Sequence, residues 1–262
     1  MISKNQIKLI RSLEQKKNRL REGLFVAEGP KVVGDLLARY RPKMVVATEE
    51  WLTSEGRGVA CETTAVSDDE LRRVSFLQHP QQVLALFDMP ATGAAGPDAA
   101  LVDGQALTDG LALMLDGVQD PGNLGTIIRI ADWFGVENVV CSADTADCYN
   151  PKVVQATMGS LARVNILYIE LTEMLNRLPA GTPVYGTFLD GADIYSQNLS
   201  AGGLIVMGNE GRGISRAVAS RINRRLLIPN YPPGRPTADS LNVAIATAIV
   251  CAEFRRRGAA RP

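Results

Sequence analysis

The sequence predicts an α/β protein built as two units, and three observations carry that expectation. Short apolar runs of strand length alternate with amphipathic stretches of helical period through most of the chain. Apolar runs such as "LALMLDGV" and "GLIVMG" read as buried strands, and strands alternating with helices imply a largely parallel sheet. Between the two halves lies "PATGAAGPDAALVDGQAL", rich in Pro, Gly and small residues and without periodicity. Residues 1–90 are therefore expected to form one small α/β unit, 91–107 a linker, and 108–262 a second unit.

In the first unit, "NQIKLIRSLEQKKNRLREG" reads as one basic amphipathic helix with Ile7, Ile10, Leu13 and Leu20 on its apolar side. "LFVAEG" is a strand, "PKVVGDLLARY" a helix opened by proline, and "KMVVAT" a second strand. Ser67 stands three residues before Glu70, a capping box that starts the next helix, and "QVLALFDM" is a further strand. In the second unit the strand "LALMLDGV" ends at "QDPGN". The helix "LGTIIRIADWFG" follows, closed by Gly135. "NVVCS", "PVYGTFL", "GLIVMG" and "RRLLIPN" are strands; "PKVVQATMGSLARV", "ISRAVASRI" and "SLNVAIATAIVCAEFRRR" are helices. No internal repeat is visible.

Composition narrows the function. The chain has 262 residues, 46% hydrophobic and 21% charged, and 28 basic residues balance 28 acidic ones. A neutral total leaves room for a local basic patch that binds nucleic acid. No run of about 18 apolar residues is present, so no membrane span is expected, and the N-terminus lacks a signal-peptide core; a cytoplasmic protein is expected. Cys61, Cys141, Cys148 and Cys251 form no Cys-x-x-Cys pair, and the lone His79 precedes a proline in a loop-like context. No metal site is expected.

Three polar clusters interrupt apolar strand ends, where ligands sit in parallel α/β sheets. In "DPGNLGTIIR", Pro121 and Gly122 force a turn, Asn123 is placed to cap the helix, and Arg129 follows; a capped helix with an arginine reaching to solvent is the plain alternative. In "GNEGRGIS", Gly208, Gly211 and Gly213 permit close backbone approach around Glu210. A tight turn explains the same residues, and neither a phosphate loop nor a dinucleotide fingerprint fits the spacing. In "IPNYPPGRPTADSLNV", Ser240 is a candidate N-cap and Asn242 enters a nearly uncharged helix, where it needs partners if buried.

Together, the sets "NLGTIIR", "GNEGRG" and "SLNV" at these separations strongly resemble the three motifs of the SpoU (TrmH) family, RNA ribose 2'-O-methyltransferases of the SPOUT class. "NPKVVQATMGSLARV" is similar to the stretch between them, so the resemblance covers roughly residues 110–257. The N-terminal unit resembles the small RNA-binding domain, of ribosomal-protein type, that precedes many members. The resemblance implies a deep trefoil knot in the second unit, a homodimer, and S-adenosylmethionine as methyl donor. Knots are very rare, and physical reasoning alone does not lead to one.

By motif position, the resemblance makes Arg129, Asn123, Glu210, Ser240 and Asn242 the catalytic set. It makes Thr187, Leu189, Gly208, Asn209, Gly211, Ile228 and Leu241 the donor-binding set. The reaction implied is in-line attack of a ribose 2'-hydroxyl on a sulfonium methyl. Arg129 is expected to orient ribose or phosphate and to stabilise developing alkoxide charge, since a guanidinium is a reluctant base. Phosphate contacts are expected from Lys4, Lys8, Arg11, Lys16, Lys17 and Arg19, with Arg255–Arg257 as further candidates; solvated faces and helix-end charge are the alternatives. Ribosomal RNA is favoured over transfer RNA, and a non-catalytic RNA-binding or assembly protein on the same fold is the rival. One departure stands out: "NYPPGRPTAD" between "IP" and "SLN" is longer than the family pattern and stiffened by three prolines.

Overall fold

The computed structural model describes residues 1–90, 107–232 and 235–258. The expected linker, 91–107, lies outside the described residues apart from Leu107, which is fully buried.

The N-terminal part holds strands β1 (Leu24–Glu28), β2 (Pro42–Ala47), β3 (Glu62–Ala65) and β4 (Val83–Asp88) in the order β1-β4-β2-β3. Its helices are α1 (Lys4–Ser12), α2 (Lys16–Glu22), α3 (Pro30–Leu37), α4 (Glu49–Thr53) and α5 (Asp68–Val74). This sheet is mixed, where a largely parallel one was expected. Strand β4 runs antiparallel to both β1 and β2, and only β2 and β3 are parallel. Ala65 at the end of β3 and Val83 at the start of β4 both pair with Ala47, so α5, only 7 residues long, and the 75–82 loop bring the chain back to the end of the sheet it left, and β4 runs antiparallel. The capping box expected at Ser67 and Glu70 is present, and Ser3 with Gln6 forms a second one at α1.

The single basic helix expected at the N-terminus is two helices. Asn18 donates to the Ser12 carbonyl, and the Arg19 guanidinium takes the Leu13 and Glu14 carbonyls, closing the end of α1 and turning the chain. Ile10 and Leu13 are buried as expected, but Leu20 is exposed.

The second part contains β5 (Leu111–Asp116), β6 (Asn138–Cys141), β7 (Asn165–Tyr168), β8 (Val184–Asp193), β9 (Gly203–Gly208) and β10 (Arg224–Leu227). All are parallel, in the order β10-β8-β9-β5-β6-β7. The helices are α6 (Pro121–Trp133), α7 (Pro151–Ala156), α8 (Leu171–Asn176), α9 (Arg216–Ala219) and α10 (Val243–Gly258). The strands β5 and β9 are buried except at their last residues, as continuous apolar runs in a covered parallel sheet should be. From β5 the chain winds outward through β6 to β7. It then crosses to the other side to lay down β8, β9 and β10, so the order reverses between β5 and β9. A crevice outside the carboxyl ends of those two strands is where an open α/β sheet binds its ligand.

The two parts share one hydrophobic core. Phe25 of β1 lies 4.8 Å from the ring of Tyr149, which belongs to the second part, and 5.1 Å from Tyr40. Beside this seam the Arg19 guanidinium meets the Asp147 carboxylate at 2.5 Å, with the arginine 1% exposed.

Candidate active site

Helix α6 begins directly beyond β5, and the elbow "DPGN" sets its start. Asp120, not Asn123, is the N-cap: its side chain accepts from the Asn123 N–H at 2.7 Å, and Pro121 takes the first helical position. This frees the Asn123 side chain. At the other end, Gly135 (φ +61) lets the Val136 N–H reach the Ala131 carbonyl, a Schellman closure.

At helix α10 the expectation also shifts by two residues. Asn242, not Ser240, caps it: Asn242 Oδ1 accepts from the N–H groups of Ala244 and Ile245. Ser240 is exposed, and no hydrogen bond involves its side chain among the described residues. With its oxygen occupied, Asn242 donates through Nδ2 to Asn123 Oδ1 at 2.9 Å, and Asn123 Nδ2 donates to Glu210 Oε1 at 2.8 Å. Three of the five expected catalytic residues thus form one chain, joining α10, α6 and the loop after β9. Arg129 is exposed on α6 and makes no hydrogen bond or ion pair among the described residues.

The loop after β9 is tied tightly. Asn209 donates to the Gly117 carbonyl at 2.7 Å and accepts from the N–H groups of Gly211 and Arg212. Its side chain therefore shapes the loop, with its oxygen taken by two backbone N–H groups and its NH2 holding Gly117. Asp116 accepts from the Ser215 N–H at 2.7 Å and holds the other limb. The chain itself requires a glycine at 208. A Cβ there would lie 2.3 Å from the Gly213 backbone carbon, so the close approach is to the chain itself. Gly213 needs its left-handed φ of +68. Gly211 is open, with the nearest atom to a Cβ at 3.7 Å.

The other expected donor-binding residues come from adjacent strand ends. Between β8 and β10 the register jumps: Gly186 pairs with Arg225, but Ala192 pairs with Leu226. The intervening residues bulge outward, carrying Thr187 and a 77% exposed Leu189. Ile228 leaves β10 half-buried against the core, and Leu241 is exposed before α10. Exposed leucines, a glycine with open space and loops rich in backbone N–H and C=O groups suit a ligand with a flat apolar ring and polar edges.

The expected RNA-contacting residues divide. Lys4, Lys8, Lys16 and Lys17 are exposed. Arg19 is not available: it is buried, and its hydrogen bonds go to α1 carbonyls and to Asp147. Its position on a basic face misled because its partner lies 128 residues away. Arg11 donates to the Ser75 carbonyl and lies over the Phe76 ring. At the other terminus Arg255 donates to the Phe134 and Gly135 carbonyls, while Arg256 and Arg257 clasp Glu253. Among the described residues no cluster of side chains could hold a metal, and no helix is long and apolar enough to cross a membrane. All four cysteines are free; Cys141, Cys148 and Cys251 are buried.

Comparisons with known proteins cover both parts of the chain. Residues 110–252 match the model of the SpoU rRNA Methylase family, and residues 4–85 match an MRM3-like substrate binding domain. The chain is 33% identical to the Bacillus subtilis 23S rRNA (guanosine(2553)-2'-O)-methyltransferase RlmP, over 97% of both chains. Its fold superposes on a putative RNA methyltransferase of the TrmH family from Porphyromonas gingivalis with a TM-score of 0.84 and 44% identity, covering 98% of this chain and 99% of that one. An AdoMet-bound rRNA methyltransferase from Sinorhizobium meliloti gives 0.83 and 30%, covering 98% and 97%. By the extent of these matches, and by the polar chain its three motifs build at the sheet's switch point, the chain belongs to the SpoU rRNA methylase family.

Proposed function

We propose that the protein transfers a methyl group from S-adenosylmethionine to a ribose 2'-hydroxyl in structured ribosomal RNA. The observation that carries this reading is the Asn242–Asn123–Glu210 hydrogen-bond chain at the switch point, with an unpaired Arg129 farther along α6. The relatives named above as rRNA methyltransferases, and the AdoMet-bound one among them, support the substrate and the donor.

When bound, S-adenosylmethionine supplies an electrophilic methyl on a sulfonium whose positive charge vanishes on transfer. Leu189, Ile228 and Leu241 supply apolar surface to hold it, with the backbone of 208–211 at its polar edge. The 2'-hydroxyl is the difficulty: as its oxygen takes the methyl and the C–S bond breaks, its proton must pass to a base or to solvent. Arg129, a pure donor, orients the ribose or its phosphate and stabilises the growing negative charge on oxygen. Glu210 is held by Asn123 through Oε1, which leaves Oε2 to accept from the nucleotide. Ser240, exposed at the entrance to α10, is a second polar contact for the substrate.

The same reading includes a trefoil knot and a homodimer. After β9 the chain goes out past β8 to the edge strand β10, then returns to place Asn242 against Asn123 at the middle of the sheet, a path that supports the knot. Trp133 is 84% exposed at the end of α6 and Ile245 is exposed in the first turn of the adjoining α10; apolar side chains left in solvent on neighbouring helices support self-association. Division of labour follows the expected boundaries: residues 1–90 contact RNA and 108–262 carry the reaction, in the cytoplasm where both substrates occur.

The test is methylation of deproteinised rRNA and tRNA with radiolabelled donor, followed by nuclease mapping. We expect one 2'-O-methyl site in rRNA, and at least a 100-fold slower rate for Arg129→Ala with donor binding retained. A full rate in that variant removes Arg129 from the chemistry. Label in tRNA alone replaces the substrate, and donor binding without transfer to either pool points to a non-catalytic RNA-binding protein.

A further inference from the structure

The basic surface expected of the N-terminal unit is thinner than its sequence suggests. Arg19 is buried, Arg11 is engaged, and Glu14 and Glu22 interrupt the remaining lysines. A denser stretch lies elsewhere. Between Glu210 and Asp239 the chain contains six arginines (212, 216, 221, 224, 225 and 235) and no acidic residue. It also contains Tyr231, 87% exposed, which takes part in no ring pair among the described residues.

The placement of this stretch is specific. It begins two residues after Glu210 and ends seven before Asn242, so short segments of chain tie both of its ends to the polar chain of the active site. It includes α9 and the edge strand β10, so it forms the outer margin of the six-stranded sheet. Three of its arginines are partly engaged. Arg212 lies 3.6 Å from Asp144, Arg225 lies 2.5 Å from Asp190 and over the Phe188 ring, and Arg221 donates to Asn176. Arg224 has only the carbonyl of Asn223, at 3.3 Å, and the exposed guanidinium groups of Arg216 and Arg235 have no partner among the described residues. Asn230 donates to the Arg235 carbonyl and to Thr237, drawing together the two limbs of the loop that presents Tyr231.

We infer that this margin grips the RNA beside the methylated nucleotide. Arg216, Arg224 and Arg235 bind phosphates, and Tyr231 stacks on an unpaired base. The occupant follows from charge complementarity: arginine is the side chain suited to phosphate, and an exposed aromatic next to such charges is a stacking platform for single-stranded RNA. The choice of occupant rests on the methyltransferase reading above. The surface is a positioning and specificity device outside the reacting atoms.

The experiment measures binding of deproteinised rRNA across a salt series, S-adenosylmethionine binding by calorimetry, and thermal melting, for the full chain and three variants. The triple variant Arg216→Ala/Arg224→Ala/Arg235→Ala should bind RNA roughly 10–100-fold more weakly at 0.15 M salt, with a salt slope shallower by about 2. Tyr231→Ala should lose about 5–150-fold in RNA affinity, and Tyr231→Phe should retain it within about twofold. Donor affinity and melting temperature should not change. Wild-type RNA affinity and slope in the triple and Tyr231→Ala variants overturn the inference. So does a parallel loss of donor affinity, because the segment is then a wall of the donor site. The two readings fail separately. A wild-type protein that shows these binding effects but transfers no methyl removes the enzymatic reading and keeps the RNA margin; one that methylates RNA while the variants are silent does the reverse.

Discussion

Asn242 settles two questions with one side chain. Its oxygen is fixed by the first N–H groups of α10, so its NH2 can only face outward, and that orients Asn123 toward Glu210. Asn242→Asp separates the two roles. It retains the cap oxygen but presents an acceptor to Asn123, which must flip and turn its own oxygen toward the Glu210 carboxylate. We expect stability within about 0.5 kcal/mol of wild type and methyl transfer slowed by an order of magnitude or more, with donor affinity unchanged. Asn242→Ala loses the cap as well and should cost about 1 kcal/mol. Urea unfolding together with single-turnover rates distinguishes the cases, and a fully active Asn242→Asp protein shows that the chain is structural only. The sequence marks Asn123, Glu210 and Asn242 because polar groups at apolar strand ends need a reason. It does not say which donates to which, since that depends on a backbone capping pattern displaced by two residues from Ser240. Gly208 is legible as a site of close approach, but the atom approached, in the Gly213 backbone, belongs to a turn that only the folded loop defines.

Helix α10 shows the same lesson at the next scale. Its "FRRR" end is written like a phosphate-binding tail, yet Arg255 closes the carbonyl end of α6 and Glu253 collects Arg256 and Arg257. The hydrogen bonds from Arg256, followed by those from Arg257, hold the Glu253 carboxyl at about 2, below its ordinary 4.5. A depressed acid stabilises the fold above its unfolded value and loses that contribution as the pH falls through its folded value. The window is therefore pH 4.5 down to about 2. Glu253→Gln should flatten the acid limb of the stability curve there, by about 1–2 kcal/mol since Arg256 is largely in solvent. Unfolding measured at intervals from pH 6 to pH 2 checks this, and superimposable curves remove the clasp as a stabilising feature. Most strands and helices are readable from period and turn chemistry alone. The break between α1 and α2 is not, because Arg19 makes it while reaching for a residue of the other sheet. The short β7 and α8 are likewise absent from the pattern, since four and six residues give too little period to read.

For the whole molecule, the parallel sheet of the second half is legible because buried strands are apolar on both faces. The antiparallel placement of β4 is not, because the pattern of α5 and the loop after it does not say that they return the chain to the end of the sheet where β3 stops. The exposed Trp133 of α6 and Ile245 of α10 bear on assembly. Sedimentation should give a species of twice 28.2 kDa, and Trp133→Glu should shift it toward the monomer; a wild-type monomer at micromolar concentration overturns the homodimer. The seam between the two parts has a further consequence. Rings from both sides interlock at Phe25, Tyr40 and Tyr149, and the Arg19–Asp147 pair closes the margin, so the two parts are braced against each other among the described residues. The molecule is a caliper set once. On the proposed division of labour, an RNA held by the first part meets the donor at a single span, and the nucleotide to be modified is then chosen by its distance from a landmark in the folded transcript as much as by the letter it carries.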